Sequence, residues 1–245
     1  MKRFFAALVV CVAATAHANH PLISEDTGVL GKGGWQLELH GEKTRDREAG
    51  VTTRTTETSA TLGHGIAENA DLQLELPYLR QVTDGNVASG RGDAAVSLKW
   101  RFHEDNDFSM VFKPDLILPT GRDEIGLGAG RLRWAANLIA AYKVGRFELL
   151  GHVGYTNNRN RVGERTSLSH LSAAVLWAAT EKLKLVLDLG RDRNPDPTSR
   201  TPWRELIYGL TYAVSEDIDL GIGLKKGLND PADDRALRAG LKFRW

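Results

Sequence analysis

The chain has 245 residues, 42% of them hydrophobic and 26% charged, with 32 basic against 31 acidic side chains. No basic excess points to a nucleic-acid partner. Past the N-terminus no run of eighteen apolar residues occurs, which excludes a membrane-spanning helix. It does not exclude a membrane β-barrel, whose loops and inner strand faces are polar.

The first residues read as an export signal. Lys2 and Arg3 precede an apolar run from Phe4 to Ala16, and Ala16-His17-Ala18 forms a small-x-small cleavage site. We therefore expect residues 1–18 to be a signal peptide, too short in its apolar part to cross a bilayer as a helix. Cys11 follows Val9 and Val10, unlike a lipidation site, and is lost with the leader. The mature chain would then carry no cysteine and use no disulfide. Residues 19–33, rich in Gly, Pro and polar groups, are expected to form an N-terminal periplasmic segment or a short lumen plug ahead of a barrel over 34–245.

From Trp35 onward, period-two alternation dominates. Leu183, Leu185, Leu187 and Leu189 interleave with Lys184, Val186, Asp188 and Gly190. Ile218, Leu220, Ile222 and Leu224 repeat the pattern, as do Leu237, Ala239, Leu241, Phe243 and Trp245. A helix would swing Leu185 away from Leu183 and Leu187, so strands are expected. In chain order they fall at 34–42, 53–63, 70–81, 93–103, 107–118, 131–143, 146–156, 168–179, 182–192, 203–213, 217–226 and 235–245. The second is a Thr-rich run without clean alternation. Short turns, at 64–69, 104–106, 144–145, 180–181 and 215–216, alternate with longer polar links at 43–52, 83–92, 119–130, 157–166, 194–202 and 228–234. About twelve strands with that rhythm predict an all-β, transmembrane, antiparallel up-and-down barrel with both termini on the periplasmic side.

A soluble barrel would turn the leucines inward, but twelve strands enclose too wide a lumen for side chains to fill. Aromatic residues in the apolar phase, among them Trp35, Trp100, Trp134, Tyr155, Trp177 and Phe243, suit girdles at two membrane interfaces. The expected location is the outer membrane of a Gram-negative bacterium, with its lipid as one partner. Trp245 in phase with the last strand resembles the signal that barrels present to the assembly machinery.

Three stretches resemble the phenol meta-pathway outer-membrane protein family, transporters related to porins for hydrophobic compounds and long-chain fatty acids. They are His20-Pro21-Leu22-Ile23-Ser24-Glu25-Asp26-Thr27-Gly28 with Gly31-Lys32-Gly33 and Trp35-Gln36-Leu37-Glu38, then Gly92-Asp93 with Leu98-Lys99-Trp100-Arg101-Phe102, then Leu118-Pro119-Thr120-Gly121 with Gly126-Leu127-Gly128-Ala129-Gly130. The resemblance spans nearly all the mature chain. It implies a channel or transporter for small, aromatic or hydrophobic solutes, and partial insertion of 19–33 into the lumen. A structural or surface-interaction barrel without transport is the alternative, and a lipid-modifying enzyme the third reading.

On the inward phase we expect lumen-lining Glu38, His40, Glu75, Lys99, Arg101, Lys113, Asp115, Arg133, Asn137, Glu148, His152, Asp188, Glu205, Asp219, Lys225, Arg238, Lys242 and Arg244. Their mixed signs suit paired networks across strands, or a solute pathway, better than an ion-selective field. Pro77 and Pro114 interrupt strands of a closed wall, so each should mark a bulge or a broken ladder bond: either an ordinary bulge near a rim, or a wall kink through which an apolar solute could leave sideways. No catalytic residue is expected: Ser169 and His170 face opposite sides of their strand. Histidines lack zinc spacing, so neither metal nor cofactor is expected, and Asp230, Asp233 and Asp234 read as a solvated loop. The glycines at 126, 128 and 130 read as a flexible external loop.

Overall fold

The computed structural model describes residues 21–48 and 50–245. The expected signal peptide at 1–18, and the first two residues of the 19–33 segment, lie outside the described residues. The strands are β1 (Trp35–Glu48), β2 (Val51–Ala67), β3 (Ala70–Thr83), β4 (Asn86–Arg91), β5 (Ala95–Glu104), β6 (Phe108–Ile117), β7 (Arg133–Val144), β8 (Phe147–Asn157), β9 (Ser167–Ala178), β10 (Leu183–Asp192), β11 (Trp203–Ala213), β12 (Ile218–Gly227) and β13 (Arg235–Arg244). All pairings are antiparallel, and β1 closes on β13 from Gln36↔Arg244 to Arg45↔Arg235. β4 and β5 are two halves of one wall strand. β3 pairs with β5 over Ala70–Glu75 and with β4 over Tyr78–Thr83. The result is a closed barrel of twelve wall strands, which leaves no open edge within the wall.

The direction of burial identifies the surrounding solvent. Along β10, Leu185, Leu187 and Leu189 are 40%, 51% and 53% exposed while Asp188 between them is fully buried. Apolar side chains outside and charges inside is the arrangement of a barrel in lipid. Trp35, Trp100, Phe147, Trp177, Phe243 and Trp245 ring the periplasmic end, and Tyr78, Trp134 and Tyr155 lie towards the other end. Tyr208 is also exposed, but sits mid-strand instead of at a rim.

The wall is taller on one side than the alternation implied. The polar links expected at 43–52 and 83–92 are mostly ladder: β1 and β2 pair out to Glu48↔Val51, and β3 and β4 pair to Thr83↔Asn86. The Thr-rich run that looked weak belongs to the longest strand, 17 residues. β-branched threonines suit a pleated surface even where no face is buried in lipid. The second hairpin turns on Asp84 and Gly85, both at positive φ (49° and 81°), as a two-residue type I′ turn requires.

Both prolines sit where ladders fail. The carbonyl of Pro77 accepts the Gly92 N–H (3.0 Å) at the junction of β4 with β5. A Cβ on Gly92 would lie 2.6 Å from Leu79 Cδ1 and 3.0 Å from Pro77 Cγ, so these side chains fill the seam. Pro114 keeps its partner Ala136 on β7, while the β5–β6 register passes from Ser97↔Asp115 to Trp100↔Phe112 without it.

The glycine-rich stretch before β7 is fastened down, contrary to the expected flexibility. Buried Asp93 accepts N–H groups from Gly121 and Ala129 (both 2.9 Å) and pairs with Arg133 (2.9 Å). A 3-10 turn, Asp123–Ile125, follows Gly121, and Leu127 and Ala129 are buried. Glycine is needed here for close approach: a Cβ on Gly128 would stand 2.7 Å from Asp93 Oδ1.

Candidate functional site: the lumen and the segment within it

Residues 21–33 run inside the barrel, from Gly33 at the periplasmic end to the level of Asp188 and Arg238. Their base is a backbone pair, Gly33 N–H to Gly65 O (2.8 Å) and Gly65 N–H to Gly34 O (2.9 Å). Leu30 N–H then meets the Asp71 carboxylate (3.0 and 3.1 Å), and Thr27 Oγ1 meets Ser109 Oγ (2.6 Å). At the far end, Ile23 and Ser24 donate their N–H groups to Asp188 Oδ2, each at 2.6 Å. Leu22, buried with Ala141, Leu150, Ala174, Leu176 and Val186, gives this segment an apolar anchor. Its carbonyl accepts Arg238 Nη1 at 2.8 Å. Inward glycines make the room: a Cβ on Gly223 would lie 2.7 Å from Pro21, and one on Gly190 would lie 2.9 Å from Ile23.

Charge pairing secures the middle. Lys113 Nζ lies 2.9 Å from Glu25, and Lys99 Nζ lies 3.5 Å from Glu25 and 2.5 Å from Asp26. Lys242 reaches Asp26 (3.6 Å) and Glu38 (3.9 Å). Burial alone would raise the Asp26 pKa, but Lys99 and Lys242 outweigh it and hold the carboxyl well below the usual range. Lysines this buried are tolerated because each faces a carboxylate.

The other lumen-lining side chains fall into separate clusters. Lys225 gathers Glu42 (2.6 Å), Glu205 (3.5 Å) and Asp233 (3.4 Å), and Glu42 also pairs with Arg238 (3.1 Å). Arg133 joins Asp93 to Asn158. Asp115, Asn137 and His152 form a chain, at 2.7 and 3.1 Å. Nearer the periplasmic rim, Arg244 pairs with Asp219, Arg101 with Glu104, and Glu148 with Lys184. His40 and Glu75 line the outer chamber with Glu57.

Two cavities lie along the lumen. The outer chamber has Ile23 at its floor and walls that mix Ile117, Leu168 and Trp203 with Asp115, His152, His170 and Asp192. The periplasmic vestibule is lined by Asp26, Thr27, Gly28, Glu38, Arg101 and Lys242. Ser24 and Glu25 lie between the two, almost fully buried.

Sequence reasoning missed Glu42, Asp71, Ser172, His170 and Asp192 as inward groups, and Glu25 and Asp26 as their partners. Strand phase from the neighbours was the available signal for the first five. Ser172 Oγ lies 2.9 Å from His170 Nε2, and His170 Nδ1 lies 2.8 Å from Asp192 Oδ1, the contact order of an acyl-transfer triad. Yet Ser172 Oγ is also bonded to Ser24 Oγ (2.8 Å) and is buried. β9 is paired on both sides, with β8 and β10, which commits the local N–H groups to ladders and offers none to an oxyanion. The arrangement braces Ser24.

Solved structures with this architecture include an outer membrane channel from Pseudomonas putida F1, 16% identical, covering 90% of this chain and 98% of that one with a TM-score of 0.73. The KdgM porin is 9% identical, covering 85% and 98%, TM-score 0.57. The translocator domain of the autotransporter NalP from Neisseria meningitidis is 14% identical, covering 89% and 91%, TM-score 0.54. At these identities the likeness is one of fold. No curated protein matches the sequence. Residues 18–245 match the family described as "Putative MetA-pathway of phenol degradation", and the chain, a closed barrel with a lipid-facing exterior and a charged, occupied lumen, belongs to that family.

Proposed function

We propose that the barrel is an outer-membrane channel for small aromatic or otherwise hydrophobic solutes, closed at rest by residues 21–30. The observation that carries this reading is the set of bonds that holds Ser24 and Glu25 between the two cavities, contacts that are polar and therefore exchangeable for water. The outer chamber offers apolar surface beside carboxylates and imidazoles, which suits a solute with a ring and a polar edge. The family description, which names phenol degradation, supports an aromatic solute. The similar Pseudomonas putida F1 barrel is an outer membrane channel, which supports transport. The filled seam at Pro77 and Gly92 is our candidate for a sideways exit into lipid.

The test is a comparison of the refolded chain with a form lacking residues 21–30, in planar bilayers and in swelling liposomes. We expect the intact chain to be quiet and the shortened one to conduct, with swelling driven by a phenolic carboxylate too polar to cross lipid unaided. Silence from both, with folding intact, would leave a structural barrel that works through its outer loops.

A further inference from the structure

The outer wall carries a one-sided arc of cations. On the outward phase, Arg191 faces Arg204 across β10 and β11, Lys226 faces Arg235 across β12 and β13, Arg235 faces Arg45 across β13 and β1, and Arg45 faces Arg54 across β1 and β2. All six are exposed, and none forms an ion pair with a described residue. Like charges directly opposite on neighbouring strands destabilise a sheet. Among the described residues these cations meet no counter-charge.

Four of them stand at one distance beyond the apolar belt, and Arg45 and Arg54 continue the ladder from Arg235. Arg191 stands two residues beyond lipid-facing Leu189, Lys226 two beyond Leu224, and Arg204 and Arg235 two before Leu206 and Leu237. One pleat, about 7 Å, lifts each of these four charges above the apolar belt to headgroup level. This end is the loop side, opposite the short turns and the ends of β1 and β13 that meet at Trp35 and Arg244. Across the barrel the same level holds instead Trp134 and Tyr155, whose rings lie 5.6 Å apart.

We propose that this arc binds the phosphates of the outer-leaflet glycolipid, lipopolysaccharide, through its lipid A headgroup. Phosphates at headgroup height supply the missing anions, and arginine forks match phosphate oxygens. An arc spanning several strands suits a broad, multiply charged headgroup better than a single small anion.

The test uses the folded protein in detergent with fluorescent lipid A, lipid A stripped of phosphate, and inorganic phosphate as competitor. One variant combines Arg45→Gln, Arg54→Gln and Arg235→Gln; a second, independent one combines Arg204→Gln and Lys226→Gln. At about fivefold per charge near a lipid surface, the first should bind lipid A about a hundredfold more weakly and the second about twenty-five-fold. Stripped lipid A should bind the native chain no better than the variants do. Native affinity in both variants, with heat-modifiable migration showing a folded barrel, would overturn the proposal. So would equal binding of stripped lipid A. Displacement of lipid A by equimolar inorganic phosphate would mark a plain anion site and overturn the lipid assignment.

Discussion

Asp188 grips Ser24 twice: its Oδ2 accepts the Ser24 N–H at 2.6 Å and its Oδ1 accepts the Ser24 hydroxyl at 2.9 Å. A third bond comes from the Ile23 N–H, so one wall carboxylate fixes the tip of the lumenal segment. Hydrogen bonds to a charged acceptor contribute about 1.5–3 kcal/mol each. Asp188→Ala removes the acceptor of all three bonds. We expect the segment to detach while the barrel stays folded, seen as a rise in single-channel conductance over the native chain. A record as quiet as native would show that the tip is held elsewhere.

The barrel itself was legible because lipid and lumen impose opposite demands on alternate residues. Leu185, Leu187 and Leu189 with Asp188 between them state the wall within a single strand. What was illegible depends on register or on distant pairs. His170 and Asp192 meet because β9 and β10 pair them directly, a fact that no local pattern carries. Asp93 pins a loop residue 36 positions away. The Thr-rich part of β2 lies at the loop end of its strand, where threonine serves on both faces and alternation disappears. Pro77 and Pro114 did show in the sequence as places where pairing must fail, since proline has no N–H to donate.

Gly65 tests the base of the segment. A Cβ there would overlap the Gly31 carbonyl oxygen, which leaves the backbone pair with Gly33 and Gly34 no room. Overpacking of this kind costs about 1–3 kcal/mol. In Gly65→Ala the wall keeps its outward face, so heat-modifiable migration should be unchanged while protease cuts appear within residues 21–33. Gly41→Ala, where a Cβ meets nothing within 4 Å, is the matched control.

Asp93 tests the loop. Asp93→Ala removes the acceptor of two N–H groups and leaves Arg133, itself buried, without its carboxylate. Breaking one side of a buried pair costs about 3–5 kcal/mol. The expected result is release of residues 118–132 and faster tryptic cleavage at Arg122 and Arg131 from the loop side. Cleavage at the native rate would place the restraint on other contacts of this loop.

Pro77 tests the seam. Pro77→Val restores a donor and removes the ring that packs over Gly92. If apolar solutes leave sideways here, their uptake should fall several-fold while ion conductance of the form lacking residues 21–30 is unaltered. Equal uptake by a folded variant removes the seam from the route.

Asp26 gives the pH dependence. Its carboxyl titrates below the ordinary aspartate value of about 3.9, because Lys99 and Lys242 outweigh the effect of burial. A depressed pKa favours the docked segment at every pH above the unfolded value, and that contribution disappears only as pH falls through the folded value. Asp26→Asn should therefore raise conductance by the same factor at about pH 7 and about pH 5, since Asp26 is ionised at both in the docked and the released segment. A difference between the native chain and the Asp26→Asn variant that shrinks between those two values would mean that Asp26 is already protonating there. The ion pair with Lys99 would then be too weak to hold the segment in the lumen.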